Sequence, residues 1–286
     1  MEIGIGLPTT IPGVQGDQLL DWARRADSAG FSTLGTLDRI TYPNYEPLVA
    51  LSAAASVTER IRLTTAILIL PYRESAAIVA KQAATLHHLS GGRLVLGAAV
   101  GGRPDDYEPF GVPMAGRGKR FEEMLEEIKR LWSGEERGVA GGVGPDVSAN
   151  PPSLIIGGQV DAAFRRAAKY GVGWMMGGGS AEMFGPAAEK LEAAWMAEGR
   201  EGSPRKMSLT YFALGDDSEA ATRATIGHYY EFAGEYQDYV VAGTAKGPDE
   251  IRERVRGFEA QGCDELIMFP ASSDPTQVDE LAAIVL

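Results

Sequence analysis

Short continuous apolar runs bounded by Gly, Pro or Asp recur eight times along the chain: Glu2 to Leu7, Ser32 to Leu37, Ile61 to Leu70, Arg93 to Val100, Ser153 to Ile156, Gly173 to Met176, Lys206 to Leu214 and Glu265 to Phe269. Such runs are the pattern of parallel strands buried on both faces. Between them the apolar spacing turns helical. Asp17 to Ala29 opens on an acidic cap and ends at Gly30, Glu46 to Val57 carries Pro47 in its first turn, and Ser75 to Leu89 runs from a Ser cap to Gly91-Gly92. Arg117 to Trp132, Asp161 to Tyr170, Ala181 to Glu198, Ser218 to Tyr239, Pro248 to Gln261 and the tail Pro275 to Ile284 complete the series. Parallel strands need crossover helices, so eight strand-helix alternations predict an α/β fold, a single (β/α)8 TIM barrel. A doubly wound open sheet is the alternative with the same alternation and fewer strands. The prediction is one domain over residues 1–286, with a compact Gly/Pro-rich excursion at 134–152.

Composition narrows the partners. The chain carries 27 Lys+Arg against 39 Asp+Glu, a formal charge of -12, which argues against nucleic acid or an anionic membrane as the main partner. One cysteine, Cys263, forms no internal disulfide and suits a reducing compartment. No basic leader and no membrane-length apolar run is seen, so the chain reads as soluble and cytoplasmic.

In a barrel the reacting groups come from strand C-terminal ends and the loops after them. Metal hydrolysis needs His and carboxylate ligands there, but His87, His88 and His228 all fall on helical segments. No lysine sits at such an end for Schiff-base chemistry, and Cys263 precedes strand eight. A bound cofactor is therefore expected to carry the chemistry. Gly157-Gly158 and Gly177-Gly178-Gly179 each precede a helix, where bare N–H groups and the positive helix end receive a phosphate; with Gly101-Gly102 they make three adjacent glycine-rich loops. The bland alternative is three tight turns. Asp38-Arg39 is the main titratable pair at a strand end and reads either as an ion pair over the mouth or as the group that orients a ring or substrate oxygen. Arg73, Arg103, Arg117, Lys119 and Arg120 form a cationic set able to attract an anionic cofactor tail.

The segments Ala26 to Asp38 (ADSAGFSTLGTLD), Glu46 to Leu63, Lys81 to Gly97 (KQAATLHHLSGGRLVLG), Gly101 to Gly111 (GGRPDDYEPFG), Pro151 to Gly158 (PPSLIIGG) and Arg165 to Trp174, with a weaker echo at Gly243 to Pro270, resemble the bacterial luciferase-like flavin and deazaflavin oxidoreductases. The resemblance implies a ring of reduced FMN or deazaflavin (coenzyme F-420) in the barrel mouth. It would be backed by Ala66, Ile67 and Leu68, where the family often has a bulge with a non-proline cis peptide. Val100, Gly101, Gly102 and Asp105 would lie along the ring or its ribityl chain. Ile156, Gly157, Gly158 and Gln159 would meet the phosphate, with Gly177 and Gly178 beside them. Asp38 and Arg39 would be the catalytic pair, but Arg39 stands where the family commonly has histidine, and a guanidinium does not exchange protons near neutral pH.

The expectation is an oxidoreductase or monooxygenase that reduces or oxygenates a small organic substrate. A flavin reductase or deazaflavin-reducing dehydrogenase would supply the reduced ring, and the rim cations favour the acidic tail of deazaflavin. The alternative is a non-catalytic flavin carrier on the same barrel. The Ala-rich helices Leu48 to Val57 and Ala76 to Leu86, with the family's habit, lead us to expect a homodimer.

Overall fold

In the computed structural model, which describes residues 1–136, 139 and 141–286, eight parallel strands close into a barrel. They are β1 (Glu2–Gly6), β2 (Thr33–Thr36), β3 (Arg62–Thr65, resuming as Leu68–Ile69), β4 (Leu94–Ala99), β5 (Ser153–Gly157), β6 (Gly173–Met176), β7 (Arg205–Ala213) and β8 (Glu265–Pro270). Closure is by β8, which pairs with β7 (Met268 opposite Thr210) and with β1 (Ile3 opposite Leu266). Eight crossover helices pack outside: α1 (Gly16–Ala29), α2 (Pro47–Ala55), α3 (Ala76–Leu89), α4 (Arg117–Trp132), α5 (Asp161–Tyr170), α6 (Ala181–Ala197), α7 (Gly247–Ala260) and α8 (Thr276–Val285). The (β/α)8 expectation holds, and the open-sheet alternative falls with the closure. No helix among the described residues is long and apolar enough to cross a membrane.

Period-2 alternation divides the apolar strand residues between two cores. Ile5, Leu34, Leu63, Leu96, Trp174 and Met268 face the helices, while Ala66, Ile155, Met175, Leu209, Ile267 and Phe269 fill the barrel. The filling explains part of the glycine surplus. A Cβ on Gly6 would overlap the Phe269 ring, so a glycine-lined wall on β1 and β2 makes room for a phenylalanine from β8.

The structure differs from the sequence reading in two places, the start of α1 and the segment after β7. Helix α1 starts at Gly16, and the side chain of Gln18 accepts from Gln15 N at 2.9 Å; Asp17 lies in the first turn instead of capping it. The third strand is interrupted at Ala66-Ile67, where the resemblance implied a bulge. The long helix expected over Ser218 to Tyr239 is four short pieces, Ser218–Thr222, Arg223–Gly227, Glu231–Ala233 and Glu235–Ala242. The last break falls at Gly234, whose φ of 58° with ψ of -132° is open to glycine and closed to most side chains. Of the excursion at 134–152, Arg137, Gly138 and Ala140 lie outside the described residues. It joins the end of α4 to the start of β5, at the N-terminal end of the barrel and away from the mouth.

That N-terminal end is tied by a charge cluster. Glu265 is 1% exposed and accepts from Ser32 Oγ at 2.5 Å, Arg62 at 3.1 Å and Arg205 at 2.8 Å. Burial alone would raise its pKa, but the hydrogen bonds from Arg205, Ser32 and Thr33 and the charge of Arg62 outweigh it and hold the carboxyl below its ordinary value. A depressed folded pKa gives stability that is present above the unfolded value near 4.5 and lost as pH falls through the folded one. Glu265→Gln should therefore be less stable by about 2 kcal/mol at pH 7 in urea titrations, and the difference should shrink in acid. An equal deficit at neutral and acidic pH would contradict this.

Candidate active site

The strand C-terminal ends surround a cavity of about 450 Å³. Its floor is apolar: Ala66 and Ile67 from the β3 interruption, Ala99 from β4 and Leu209 from β7. Two glycines make that interruption possible. A Cβ on Gly97 would overlap the Thr65 carbonyl oxygen, and one on Gly157 would overlap the Ile67 side chain. The Ala66–Ile67 peptide is cis.

Asp38, at the end of β2, lies at the cavity with a side chain that solvent does not reach. One carboxylate oxygen accepts from Ile69 N at 2.8 Å and the Tyr72 hydroxyl at 2.9 Å, and the other accepts from Arg73 at 2.9 Å. Both oxygens are thus committed to protein donors. Burial, and then the Asp38 charge, push the Tyr72 phenol far above its ordinary pKa, so it remains a donor. The Asp38 cluster pins the strand just beyond the Ala66-Ile67 interruption.

Arg39 does not line the cavity. Its guanidinium pairs with Asp105, lies 3.7 Å from Asp106, and is ringed by Tyr42, Tyr229 and Phe232 at 5.1, 5.7 and 5.2 Å. Asp106, which the sequence reading passed over, accepts from Ile40 N and Thr41 N at 2.9 and 3.1 Å and so fixes the β2 loop. Asp38 and Arg39 are sequence neighbours in two separate clusters.

The four residues after β4 divide similarly. Gly101, Gly102 and Arg103 line the cavity, whereas Val100 turns its carbonyl to the Tyr107 hydroxyl. Gly158, Gln159 and Gly177 line it from β5 and β6, and Gln159 Nε2 donates to the Gly178 carbonyl at 3.1 Å. Leu68 and Ile156 are fully buried on the helix side. Gly157 is packed under Ile67, and Gly178 opens on a second cavity of about 310 Å³. That second cavity joins Gly178, Gly179 and Ser180, at the N-terminus of the 17-residue α6, to Arg254 of α7. Arg254 donates to the Gly243 carbonyl at 2.9 Å and has no carboxylate within ion-pair distance among the described residues.

Of the five rim cations, only Arg103 lines the main cavity. Arg73 is paired with Asp38 and Glu46, Lys119 with Glu123, and Arg117 and Arg120 donate to backbone carbonyls nearby. They do not act as one set and do not favour one cofactor tail over another.

The far wall comes from the broken segment after β7, where Tyr229, Tyr230, Phe232 and Tyr236 face the cavity with Tyr211 beneath them. Five aromatics within residues 229–239 were a visible signal. The expectation of one long helix left it ambiguous, because on a straight helix Tyr229, Phe232, Tyr236 and Tyr239 share one face, which reads equally well as a packing stripe.

Residues 1–262 match the family model described as luciferase-like monooxygenase. The chain belongs to that family. An uncharacterized protein of Mycobacterium tuberculosis is 36% identical over 186 residues, which cover 55% of this chain and 64% of that one. A pyrimidine monooxygenase of Shigella flexneri is 29% identical over 211 residues, covering 67% of this chain and 53% of its own. This luciferase-like chain therefore spans 53 to 64% of the length of these two relatives. Among solved structures, a monooxygenase from Streptomyces bottropensis superposes with a TM-score of 0.77 at 23% identity, covering 100% of this chain and 98% of its own. A coenzyme F-420-dependent secondary alcohol dehydrogenase reaches 0.81 at 17% identity, covering 99% and 98%. At such identities the likeness speaks for the luciferase-like fold alone.

Proposed function

We propose that this chain is an oxidoreductase that holds a reduced flavin or deazaflavin in the barrel mouth and acts on a small organic molecule there. The observation that carries the reading is the pairing of an apolar cavity, floored by Ala66 and Ile67, with an adjoining polar one. A flat heterocycle suits the first. A phosphate suits the second, where the α6 N-terminus converges with Arg254, which has no carboxylate within ion-pair distance among the described residues although Glu182 of the first α6 turn feels its charge. Gly101, Gly102, Gly158, Gln159 and Gly177 would flank the ring and its chain. Gly157, Ile156 and Leu68 would act from behind, by leaving room for the floor or packing under it.

The bound ring supplies the redox chemistry, as hydride for an acceptor or, with FMN, as the electrons for oxygen activation. The chain's own part is to bind, orient and exclude water. Asp38 is assigned as a positioning residue, because its oxygens are filled by Ile69, Tyr72 and Arg73. Arg39 acts the same way on the Asp105 loop. One observation favours flavin binding without turnover: neither Asp38 nor Arg39 offers an exchangeable proton to the cavity. The reduced ring would come from a separate reductase or dehydrogenase. A second copy of the chain would meet the outer faces of α2 and α3, where Val49 and Ile78 are exposed.

The test compares FMN with riboflavin, which lacks the phosphate, by ring fluorescence. Arg254→Ala should weaken FMN binding about ten- to a hundredfold and leave riboflavin unchanged. An equal loss for both would remove the phosphate assignment. Oxygen uptake and ring oxidation with a panel of acceptors then separate enzyme from carrier.

A further inference from the structure

Three guanidiniums stand around the mouth, and two of them are neutralised. Arg39 lies between Asp105 and Asp106, and Arg73 between Asp38 and Glu46. Arg103 has no carboxylate within ion-pair distance among the described residues. Its partners are the Tyr229 hydroxyl, to which it donates at 3.0 Å, and the rings of Tyr229, Tyr230 and Phe232 at 4.6, 5.7 and 4.5 Å. Burial works against its charge, and the Tyr229 hydroxyl that accepts its hydrogen bond is a neutral partner. Arg103 is thus a fixed positive charge on the wall of a largely apolar cavity, in a chain whose net charge is -12.

A cation held only by neutral groups gains more from an anion than one already paired, because its own desolvation is not yet offset. The surroundings also limit the shape of that anion. Phe232 and Tyr236 are 49% and 43% exposed at the mouth, an unusual display for large rings unless something covers them.

We propose that the cavity takes a planar aromatic substrate bearing a carboxylate, with Arg103 as the carboxylate receptor and the Tyr229 to Tyr236 rings as the stacking wall. This rests on the oxidoreductase reading above, which supplies the ring that such a substrate would face. Arg103 is then a specificity-determining residue: it forks two N–H groups to the carboxylate while Tyr229 keeps the guanidinium plane in place.

The probes are naphthoate and its neutral isostere naphthamide, titrated into the purified full chain by tyrosine and tryptophan fluorescence. Wild type should bind naphthoate about ten- to a hundredfold more tightly than naphthamide. Arg103→Met should remove that preference by weakening naphthoate alone, so naphthamide binding doubles as the check on folding, and Arg103→Lys should keep part of it. Equal binding of the two probes by wild type, or an undiminished naphthoate affinity in Arg103→Met, would overturn the assignment. Reduced FMN separates the two sources of anionic oxygen. If Arg103 serves the substrate, saturating FMN leaves naphthoate bound; if it serves the ring itself, FMN displaces naphthoate and Arg103→Met loses FMN affinity, which overturns the substrate role. Naphthoate preference without binding of FMN or deazaflavin would leave the carboxylate receptor standing and bring down the oxidoreductase reading.

Discussion

Asp38→Asn should lose about 3 kcal/mol of stability, one of the two largest effects we expect from a single change. The amide still accepts from Ile69 N, but it no longer opposes the Arg73 guanidinium, whose side chain is only 12% exposed. Glu46, 3.3 Å from Arg73 and partly exposed, offsets some of that loss. The consequence reaches the cavity, because the Asp38 carboxylate also fixes Tyr72 and the start of the Leu68–Ile69 segment. Tyr72→Phe removes one hydrogen bond and keeps the ring against Phe110, so it should lose only about 1 kcal/mol. Urea unfolding of both variants, read beside FMN affinity, checks this. A proton-transfer role for Asp38 would give the opposite result: an asparagine variant as stable as wild type, with normal FMN binding and no turnover.

Gly97→Ala should be at least as damaging, by about 3 kcal/mol or more. The added Cβ would overlap the Thr65 carbonyl oxygen. That carbonyl belongs to the last residue before the β3 interruption, and the Thr65 hydroxyl donates to the Gly97 carbonyl at 2.7 Å. Strand β4 can accept a side chain here only by pushing β3 outward, and Ala66 and Ile67 go with it. The variant should show a lower melting temperature and weaker FMN binding together. Gly102→Ala is the control: a Cβ there meets nothing within 4 Å, and its stability should match wild type. Unchanged stability in Gly97→Ala would mean that the floor is not held as described.

These two residues show what was legible before the structure. The strand runs and their order were readable because strands buried on both faces leave uninterrupted apolar segments, and the helices between them have few other places to pack. Asp38 was visible as an acid at a strand end. Its commitments were not, since Arg73 and Tyr72 lie more than thirty positions away and meet it only through the pairing of β2 with β3. Gly97 sits mid-strand, where glycine has no turn to explain it, and its reason is a carbonyl on the neighbouring strand.

The glycine-rich loops were found by composition, yet composition could not separate their tasks. Gly157 makes room for Ile67, whereas Gly101 and Gly158 border the cavity itself. Charge counting failed for a related reason. Five cations near one rim look like a patch, but four of them are satisfied by carboxylates or carbonyls, and pairing is a property of three dimensions. Arg103 stood in that group without distinction. Arg254 lay on a helix eleven residues past the carbonyl it now holds, and nothing in its local sequence points to the α6 N-terminus.

The central claim is that the mouth built by the Ala66-Ile67 floor and the α6 N-terminus is a flavin site. Anaerobic titration of the wild-type chain with reduced FMN and reduced coenzyme F-420 tests it most directly. The account predicts saturable binding of at least one, with one ring per chain, and weaker binding in Gly97→Ala. Failure of both to bind the folded wild-type chain would contradict it.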